Sequence, residues 1–387
     1  MNYQNKTYLG LQSHDIELLR KVVSRKTDLA KYPFAAGVKE QVLIYQADVL
    51  TKAAKQNRQQ IMSELHHALS SGPGVFVIKQ AMTNIAVIDE QTSIYQTLLE
   101  SESSTLGGAD HFAAAGANGR IWNALQKCAL YDPKSYVSYY SNELIGLAAE
   151  AWLGPGWQLT SQVNSVPPGS QAQQVHRDYH LGFQSNETVQ AYPKIVHFLS
   201  GYLTLQGAVA HTDMPIETGP TLLLPYSQQY EAGYLAYREQ DVKQFFETHA
   251  VQLPLEKGDM LFFNPALFHA AGSNITDDKH RVANLLQISS AFGRAMEAVD
   301  RNSMMLAIYP ALLSAWHAKQ LTLSEVQAVI QATAEGYAFP TNLDQDPPLN
   351  GLSPETFQQL MLHAITADWS VEKFDKSVRL KAQQRMG

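Results

Sequence analysis

The chain has 387 residues and a formal net charge of −7, and 45% of its residues are hydrophobic while only 17% are charged. This composition can build a sizeable core and excludes global disorder. Lysine and arginine occur as scattered pairs rather than as a concentrated basic face, which argues against a nucleic-acid-binding protein.

Cysteine content and hydropathy exclude further classes of protein. The single cysteine, Cys128, excludes an intrachain disulfide framework and a cysteine-based zinc site. The N-terminal segment MNYQNKTYLG lacks the apolar run of a signal peptide, and no stretch of about 18 apolar residues occurs. We therefore expect a cytoplasmic protein without a membrane or nucleic-acid partner.

The N-terminal part of the chain is predicted to be mainly helical. Ile61, Leu65 and Leu69 form the apolar stripe of one helix, and the segment GPGVFVIKQ that follows predicts a short buried strand. Farther on, the small-residue segment HFAAAGANG is predicted to lead into a helix that carries Arg120 and Trp122.

The middle of the chain changes to short apolar segments separated by Gly, Pro, Asn and Asp. Strands are predicted in WQLTSQVNSV, IVHFLSGYLTL, PTLLLPY, DMLFFNP and HRVANLLQIS. Short strands at this spacing are typical of a jelly-roll sandwich or barrel. We predict a single α+β domain made of a helical part at 1–155, a β core at 156–293 and a C-terminal helical extension at 294–387.

The segment VHRDYHLGF contains the most unusual group of polar residues. On a β-strand His176, Asp178 and His180 would point to the same face, where burial is costly unless each group has a partner. A His-x-Asp pair supplies two metal ligands, and the best third donor is His269 in DMLFFNPALFHAAGSN. Two imidazoles and one carboxylate form the facial triad of non-haem Fe(II) oxygenases, which leaves positions for a bidentate co-substrate and O2.

Arg281 lies twelve positions after His269 and supports the same chemistry. The loop between them would turn the chain, so we expect the strand that begins at Arg281 to run beside the strand of His269. An arginine on the inner face of a barrel is costly unless it meets an anion, and its planar fork fits a carboxylate. A dicarboxylate bound to iron at one end and to Arg281 at the other would explain both features.

Residues 160–292 resemble the core of the phytanoyl-CoA dioxygenase family of Fe(II)- and 2-oxoglutarate-dependent oxygenases. VHRDYH resembles the family's metal-binding His-x-Asp, and GDMLFFNPALFHAAGSNITDDKHR resembles the segment with the third ligand and the 2-oxoglutarate arginine. HTDMPIETGPTLLLPYSQ resembles D…E-N-G-P…P-G-S-H, although Thr218 stands for the family's Asn, and Tyr226 and Gln228 for its second Gly and its His.

The resemblance implies a double-stranded β-helix, which is a jelly-roll, cupin-like fold. It also implies Fe(II) on His176, Asp178 and His269, the co-substrate 2-oxoglutarate on Arg281, and O2 as the oxidant.

Other assignments stay open at this point. His211 and Asp213 form a second His-x-Asp pair that is closer in sequence to His269, but the resemblance aligns Asp213 with an aspartate that is not a ligand. Arg120, Trp122 and His180 are candidate substrate contacts, against the alternatives of helix packing for the first two and a solvent-facing imidazole. We expect Arg177 and Lys194 to be solvated, and His197 to lie on a strand without binding metal.

These features predict a 2-oxoglutarate-dependent non-haem iron dioxygenase. The simplest reaction is hydroxylation of a C–H bond in a small or medium organic metabolite, with release of succinate and CO2. The alternative is a non-enzymatic or zinc-binding jelly-roll protein that binds a small molecule with the same ligands. The acidic net charge and the absence of a cationic cluster argue against an acyl-CoA substrate.

Overall fold

The computed structural model describes residues 7–106 and 119–386, so most of the small-residue segment before Arg120 lies outside the described residues. The strands are β1 Gly37–Lys39, β2 Val42–Gln46, β3 Val75–Lys79, β4 Gly119–Ile121, β5 Gln158–Val166, β6 Thr204–Ala210, β7 Leu222–Leu224, β8 Met260–Phe263, β9 Phe268–Ala270 and β10 Arg281–Ser289. The helices are α1 Ile16–Val23, α2 Ala47–Ser70, α3 Ile85–Leu106, α4 Ala124–Tyr131, α5 Pro133–Tyr140, α6 Glu143–Leu153, α7 Asn186–Gln190, α8 Lys194–Tyr202, α9 Gly233–Ala236, α10 Gln240–His249, α11 Arg301–His317, α12 Leu323–Thr333, α13 Phe357–Thr366 and α14 Val371–Gln384.

Two sheets form the β core. The large sheet has eight strands in the order β1-β2-β3-β8-β6-β10-β5-β4, and each neighbouring pair is antiparallel except β2 and β3. The small sheet pairs β7 with β9, and isolated bridges at His176–His269 and Leu223–Val251 add one segment on each side. The two sheets face each other across a cavity, which is the predicted jelly-roll core within a mixed α+β chain.

Strand alternation separates the cavity from the main hydrophobic core. On β10, Arg281, Ala283, Leu285 and Gln287 line the cavity. Leu286 points to the opposite face, as the two-residue period of a strand requires, and packs in the main core. Helices from both ends of the chain cover that outer face of the large sheet, so the helical parts stabilise the sheet from behind while its inner face stays available for a site.

Several local predictions are confirmed, whereas the elements predicted around Arg120 and at 194–202 are wrong. The stripe of Ile61, Leu65 and Leu69 is buried in α2, and β3 is the predicted opening strand. Arg120 lies on β4, which pairs with β5, and not on a helix. The segment 194–202 is helix α8 rather than a strand. Its buried residues His197, Ser200 and Gly201 recur at helical spacing, although its β-branched residues favour a strand. His197 therefore lies on a helix.

Within the part of the chain that the structure describes, no helix is both long enough and apolar enough to cross a membrane.

The core on the outer face of the large sheet gives a stability prediction. Leu286 is fully buried on the central strand β10, so Leu286→Ala should lower the free energy of unfolding by about 2–5 kcal/mol. Leu380→Ala, on the exposed side of α14, makes the same substitution at the surface and should change it by less than about 0.5 kcal/mol. Urea denaturation followed by circular dichroism measures both, and equal values for the two variants would contradict this placement of the core.

Candidate metal centre

A single backbone pairing brings two histidines together. The His176 N–H donates to the His269 carbonyl at 3.0 Å, and the His269 N–H donates back to the His176 carbonyl at 3.3 Å. In such an antiparallel pair the side chains project to the same face, and the two imidazole centroids are 4.4 Å apart. The pairing therefore places one imidazole from VHRDYH beside one from β9.

Both imidazoles are oriented by carbonyl groups of their own segments. Nδ1 of His176 lies 2.8 Å from the Gln174 carbonyl oxygen, and Nδ1 of His269 lies 2.9 Å from that of Leu267. Each Nδ1 must carry the proton to donate to a carbonyl, which leaves each Nε2 with a free lone pair. This arrangement is typical of metal-binding histidines, whose second nitrogen is held by a carbonyl or carboxylate.

Asp178 completes the cluster. Its backbone N–H donates to the Pro265 carbonyl, and its carboxylate oxygens lie 3.3 Å from Nε2 of His269 and 3.7 Å from Nε2 of His176. The candidate ligand atoms of the three side chains all lie within 4.8 Å of one another. Within residues 7–106 and 119–386 this is the group of His, Cys, Asp and Glu side chains that is arranged to hold a metal ion.

The protonation states of the cluster suit a metal. Burial alone would raise the pKa of the Asp178 carboxyl, but positive charge on the two imidazoles and the hydrogen bond from the Gln206 amide hold that pKa well below its usual range, and a metal cation at the same place would act in the same direction. Burial, followed by the neighbouring His269, lowers the pKa of His176. An ionised carboxylate and a neutral imidazole are the forms that coordinate metals.

The chain turns sharply after Asp178, so the predicted strand through His180 is wrong. Tyr179 and His180 have φ values of 65° and 34°, a left-handed conformation that is unfavourable for residues with side chains. The turn directs His180 away from the cavity, and its Nδ1 lies 3.1 Å from the Ser200 hydroxyl on α8. His180 is therefore not brought together with the other two polar residues of VHRDYH.

Arg281 reaches the same cavity by a different route from the one expected. Its strand β10 pairs with β5 and β6 in the large sheet, whereas β9 belongs to the small sheet. The strands of Arg281 and His269 thus face each other across the cavity and do not run side by side. Arg281 is 5% exposed, and its Nη1 is buried without a partner among the residues described. Burial lowers the pKa of its guanidinium to about 10, so it stays cationic at neutral pH and fits a carboxylate.

The cavity has a volume of about 310 Å³ and takes side chains from both sheets. Arg120 and Trp122 line it although they are not helical, and the Arg120 guanidinium lies 4.8 Å from the Trp122 ring centre while donating to the Gln162 side-chain oxygen at 2.6 Å. Sequence reasoning missed Gln206, which donates to the Asp178 carboxylate. The available signal was a long polar side chain in the middle of the strand TLQGAVA, whose other central residues are apolar or small.

The second His-x-Asp pair lies elsewhere. His211 is buried outside the cavity, with its ring nitrogens 2.7 Å from the Tyr139 hydroxyl and 2.8 Å from that of Thr92. Burial lowers the pKa of His211 to about 3. Asp213 accepts a hydrogen bond from the backbone N–H of Lys257. Neither residue joins the metal-binding cluster.

Lys194 and Arg177 were both predicted to be solvated, but the structure places them in different environments. Lys194 is partly exposed and forms an ion pair with Glu231. Arg177 is only 3% exposed, so the prediction that it is solvated is wrong. Its side chain points away from the cavity and donates to the carbonyl groups of Ser227 and Tyr230.

Comparison with known proteins decides the family. The sequence pattern of the phytanoyl-CoA dioxygenase (PhyH) family matches residues 71–283. The chain belongs to the phytanoyl-CoA dioxygenase family. Its matched region contains the His176–Asp178–His269 cluster and Arg281. Fe(II) and 2-oxoglutarate are the cofactors of this family, and the free Nε2 atoms, the ionised Asp178 and the unpartnered Arg281 Nη1 fit them.

Two similar fungal proteins are distant in sequence from this chain. The chain is 28% identical over 139 residues to "Dioxygenase trt7" of Aspergillus terreus, covering 36% of this chain and 43% of that one. It is 30% identical over 147 residues to "Multifunctional dioxygenase prhA" of Penicillium brasilianum, covering 38% and 46%. The match thus spans less than half the length of these relatives.

Among solved structures, the α-ketoglutarate-dependent epimerase SnoN from nogalamycin biosynthesis aligns with a TM-score of 0.43 and 16% identity, over 60% of this chain and 84% of that one. The carbocyclase SnoK from the same biosynthesis aligns with a TM-score of 0.44 and 19% identity, over 67% and 90%.

The two His-x-Asp pairs give a matched test of metal binding. Asp178→Ala should weaken Fe(II) binding by at least about 10–100-fold, because that is the cost of removing even a partner that only orients a ligand. Asp213→Ala removes a carboxylate outside the cluster, so this variant should bind Fe(II) with the same affinity as the unmodified protein. Anaerobic calorimetric titration measures both affinities. Normal binding by the Asp178 variant, or loss in the Asp213 variant, would contradict the assignment.

Proposed function

We propose that this protein is an Fe(II)- and 2-oxoglutarate-dependent dioxygenase that hydroxylates a C–H bond of a small or medium organic metabolite. In this reaction the substrate, 2-oxoglutarate and O2 give the hydroxylated product, succinate and CO2, with one oxygen atom of O2 in succinate and the other in the product. The observation that carries the proposal is one cavity that holds both the His176–Asp178–His269 cluster and a buried, unpartnered guanidinium nitrogen of Arg281.

The proposed roles follow from the donor set. His176, Asp178 and His269 would hold Fe(II) on one face and leave the opposite face for co-substrate and O2. Arg281 would bind the distal carboxylate of 2-oxoglutarate, since its fork matches a carboxylate and no anion among the described residues neutralises it. The bound iron supplies the activation of O2. Asp178 would occupy the coordination position that an iron halogenase of this type keeps for halide, which favours hydroxylation over halogenation.

The residues that line the cavity indicate which side chains contact the substrate. Trp122, Phe183 and Met296 give it an apolar side, and Arg120 with Gln162 gives it a polar one. We propose Arg120 and Trp122 as substrate contacts on this ground. His180 contacts Ser200 outside the cavity, so it does not belong to these contacts.

Anaerobic addition of Fe(II) and 2-oxoglutarate should produce a visible charge-transfer band, because the co-substrate chelates the iron next to Arg281. Absorption spectroscopy detects it, and Fe(II) without 2-oxoglutarate is the control. A spectrum that stays flat while Fe(II) binds would favour a zinc-type or non-enzymatic binding protein.

Substitution of Arg281 separates an oxygenase from a generic metal site. Removing one partner of a buried charge pair costs about 3–5 kcal/mol, so Arg281→Ala should weaken the apparent 2-oxoglutarate affinity by about a hundredfold or more. Arg281→Lys restores charge without the two-pronged geometry and should recover only part of the loss. Succinate formation against 2-oxoglutarate concentration measures the effect.

Iron content is measured in the same Arg281 variants. Unchanged iron with weakened co-substrate binding supports the assigned role. An unchanged apparent affinity in Arg281→Ala removes this residue from the site.

A further inference from the structure

Two glutamines stand side by side on the cavity floor. Gln206 on β6 and Gln287 on β10 are direct cross-strand partners, and both line the cavity although they are almost fully buried. We call them the amide pair. Cross-strand partners on one face lie close enough for their side chains to act on a single bound group.

One half of each carboxamide is already held. The Gln206 amide nitrogen donates to the Asp178 carboxylate, and the Gln287 amide oxygen accepts from the Tyr179 hydroxyl at 2.7 Å. Because a carboxylate only accepts, the bond to Asp178 leaves the Gln206 oxygen, an acceptor, on the free side of that amide. Since the Gln287 oxygen accepts from Tyr179, the free side of the Gln287 amide is its NH2 group, a donor.

The other halves have no protein partner. The Gln206 side-chain oxygen is buried without a hydrogen bond. The Gln287 side chain lines the cavity, and its amide nitrogen makes no hydrogen bond with any residue that the structure describes. The two side chains also make no hydrogen bond to each other. Buried polar groups are rarely left unmatched, because each costs the free energy of its lost hydration. A neighbouring acceptor and donor that both face a cavity therefore mark a place for a bound group.

The amide pair lies too far from Arg281 to bind the same 2-oxoglutarate molecule. Gln287 lies six residues after Arg281, which is roughly 20 Å along the strand. 2-Oxoglutarate is a five-carbon chain and is much shorter than this distance. The amide pair is nevertheless linked to the metal cluster through Asp178, as a group that holds the reacting substrate should be.

We infer that the amide pair recognises the organic substrate, and that this substrate carries a neutral group that both donates and accepts a hydrogen bond. A hydroxyl group or the C=O and N–H of an amide has this chemistry. The Gln287 nitrogen would donate to its oxygen, and its O–H or N–H would donate to the Gln206 oxygen. The inference rests on the proposed function and adds the substrate class. An ionised group would lose its hydration beside two uncharged amides, which disfavours it.

Three six-membered-ring probes test this chemistry. Cyclohexanol and 2-piperidone donate and accept, whereas cyclohexanone only accepts. Calorimetric titration into the anaerobic complex with Fe(II) and 2-oxoglutarate should show the first two binding about tenfold more tightly than cyclohexanone, which is about 1.4 kcal/mol, because the ketone leaves the Gln206 oxygen unmatched. A preference for cyclohexanol alone identifies a hydroxyl group, and one for 2-piperidone alone identifies an amide. Equal affinities, or no binding of any probe, would overturn the inference.

Variants of Gln287 test whether its NH2 group is the hydrogen-bond donor to the substrate. Gln287→Met removes the NH2 group at nearly constant length and should weaken all three probes about tenfold, since each uses its oxygen there. Gln287→Asn withdraws the amide by one methylene and should act in the same direction, which keeps the test available if the methionine variant unfolds. Gln244→Met makes the same change on the exposed side of α10 and should leave every affinity unchanged. Wild-type affinities in folded Gln287 variants would overturn the assignment.

The charge-transfer band is recorded before each titration. Its absence would be a failure of the proposed function. A normal band without discrimination among the probes would be a failure of the amide-pair inference alone.

Discussion

The site depends on the reciprocal backbone hydrogen bonds between His176 and His269. This pairing attaches an otherwise irregular segment to the edge of the small sheet, and it fixes the separation and direction of both side chains. The carbonyl two residues before each histidine then orients its imidazole. Asp178 follows within two residues, held by the Pro265 carbonyl. The backbone of the three candidate ligands is thus positioned by main-chain hydrogen bonds, and the Gln206 amide also holds the Asp178 carboxylate.

The sequence predicted those parts of the site that follow from local periodicity. A two-residue period placed Arg281 on the inner face of its strand, and the spacing of polar residues indicated His176 and Asp178 as ligands. The sheet partners could not be predicted in this way, because β10 lies between β5 and β6, which precede it by roughly 80–120 positions. Loop length alone indicated that β9 and β10 were neighbours, whereas they face each other across the cavity.

Helix α8 shows why composition misled the prediction of a strand. Its apolar residues Ile195 and Phe198 are 66% and 63% exposed, while His197, Ser200 and Gly201 face the protein. The amphipathic pattern is therefore inverted, and the usual assumption that apolar residues face the core gives the wrong orientation. Small residues on the inner side allow close packing: a Cβ at Gly201 would lie 3.2 Å from the Asn264 side chain. The helical spacing was present in the sequence, but the β-branched composition favoured a strand.

Arg177 shows how the candidate ligands are supported from behind. Alternation along an extended segment dictates that a residue between His176 and Asp178 points away from the cavity, but it cannot reveal that this opposite side is also buried. Its guanidinium lies 4.8 Å from the ring centre of Phe268, the residue before His269, and donates to two carbonyl groups. A Cβ at Gly233 would come within 1.9 Å of that guanidinium, so a side chain at this position would displace it. One buried cation therefore contacts both segments that carry candidate ligands, and its hydrogen bonds and aromatic contacts offset the cost of its burial.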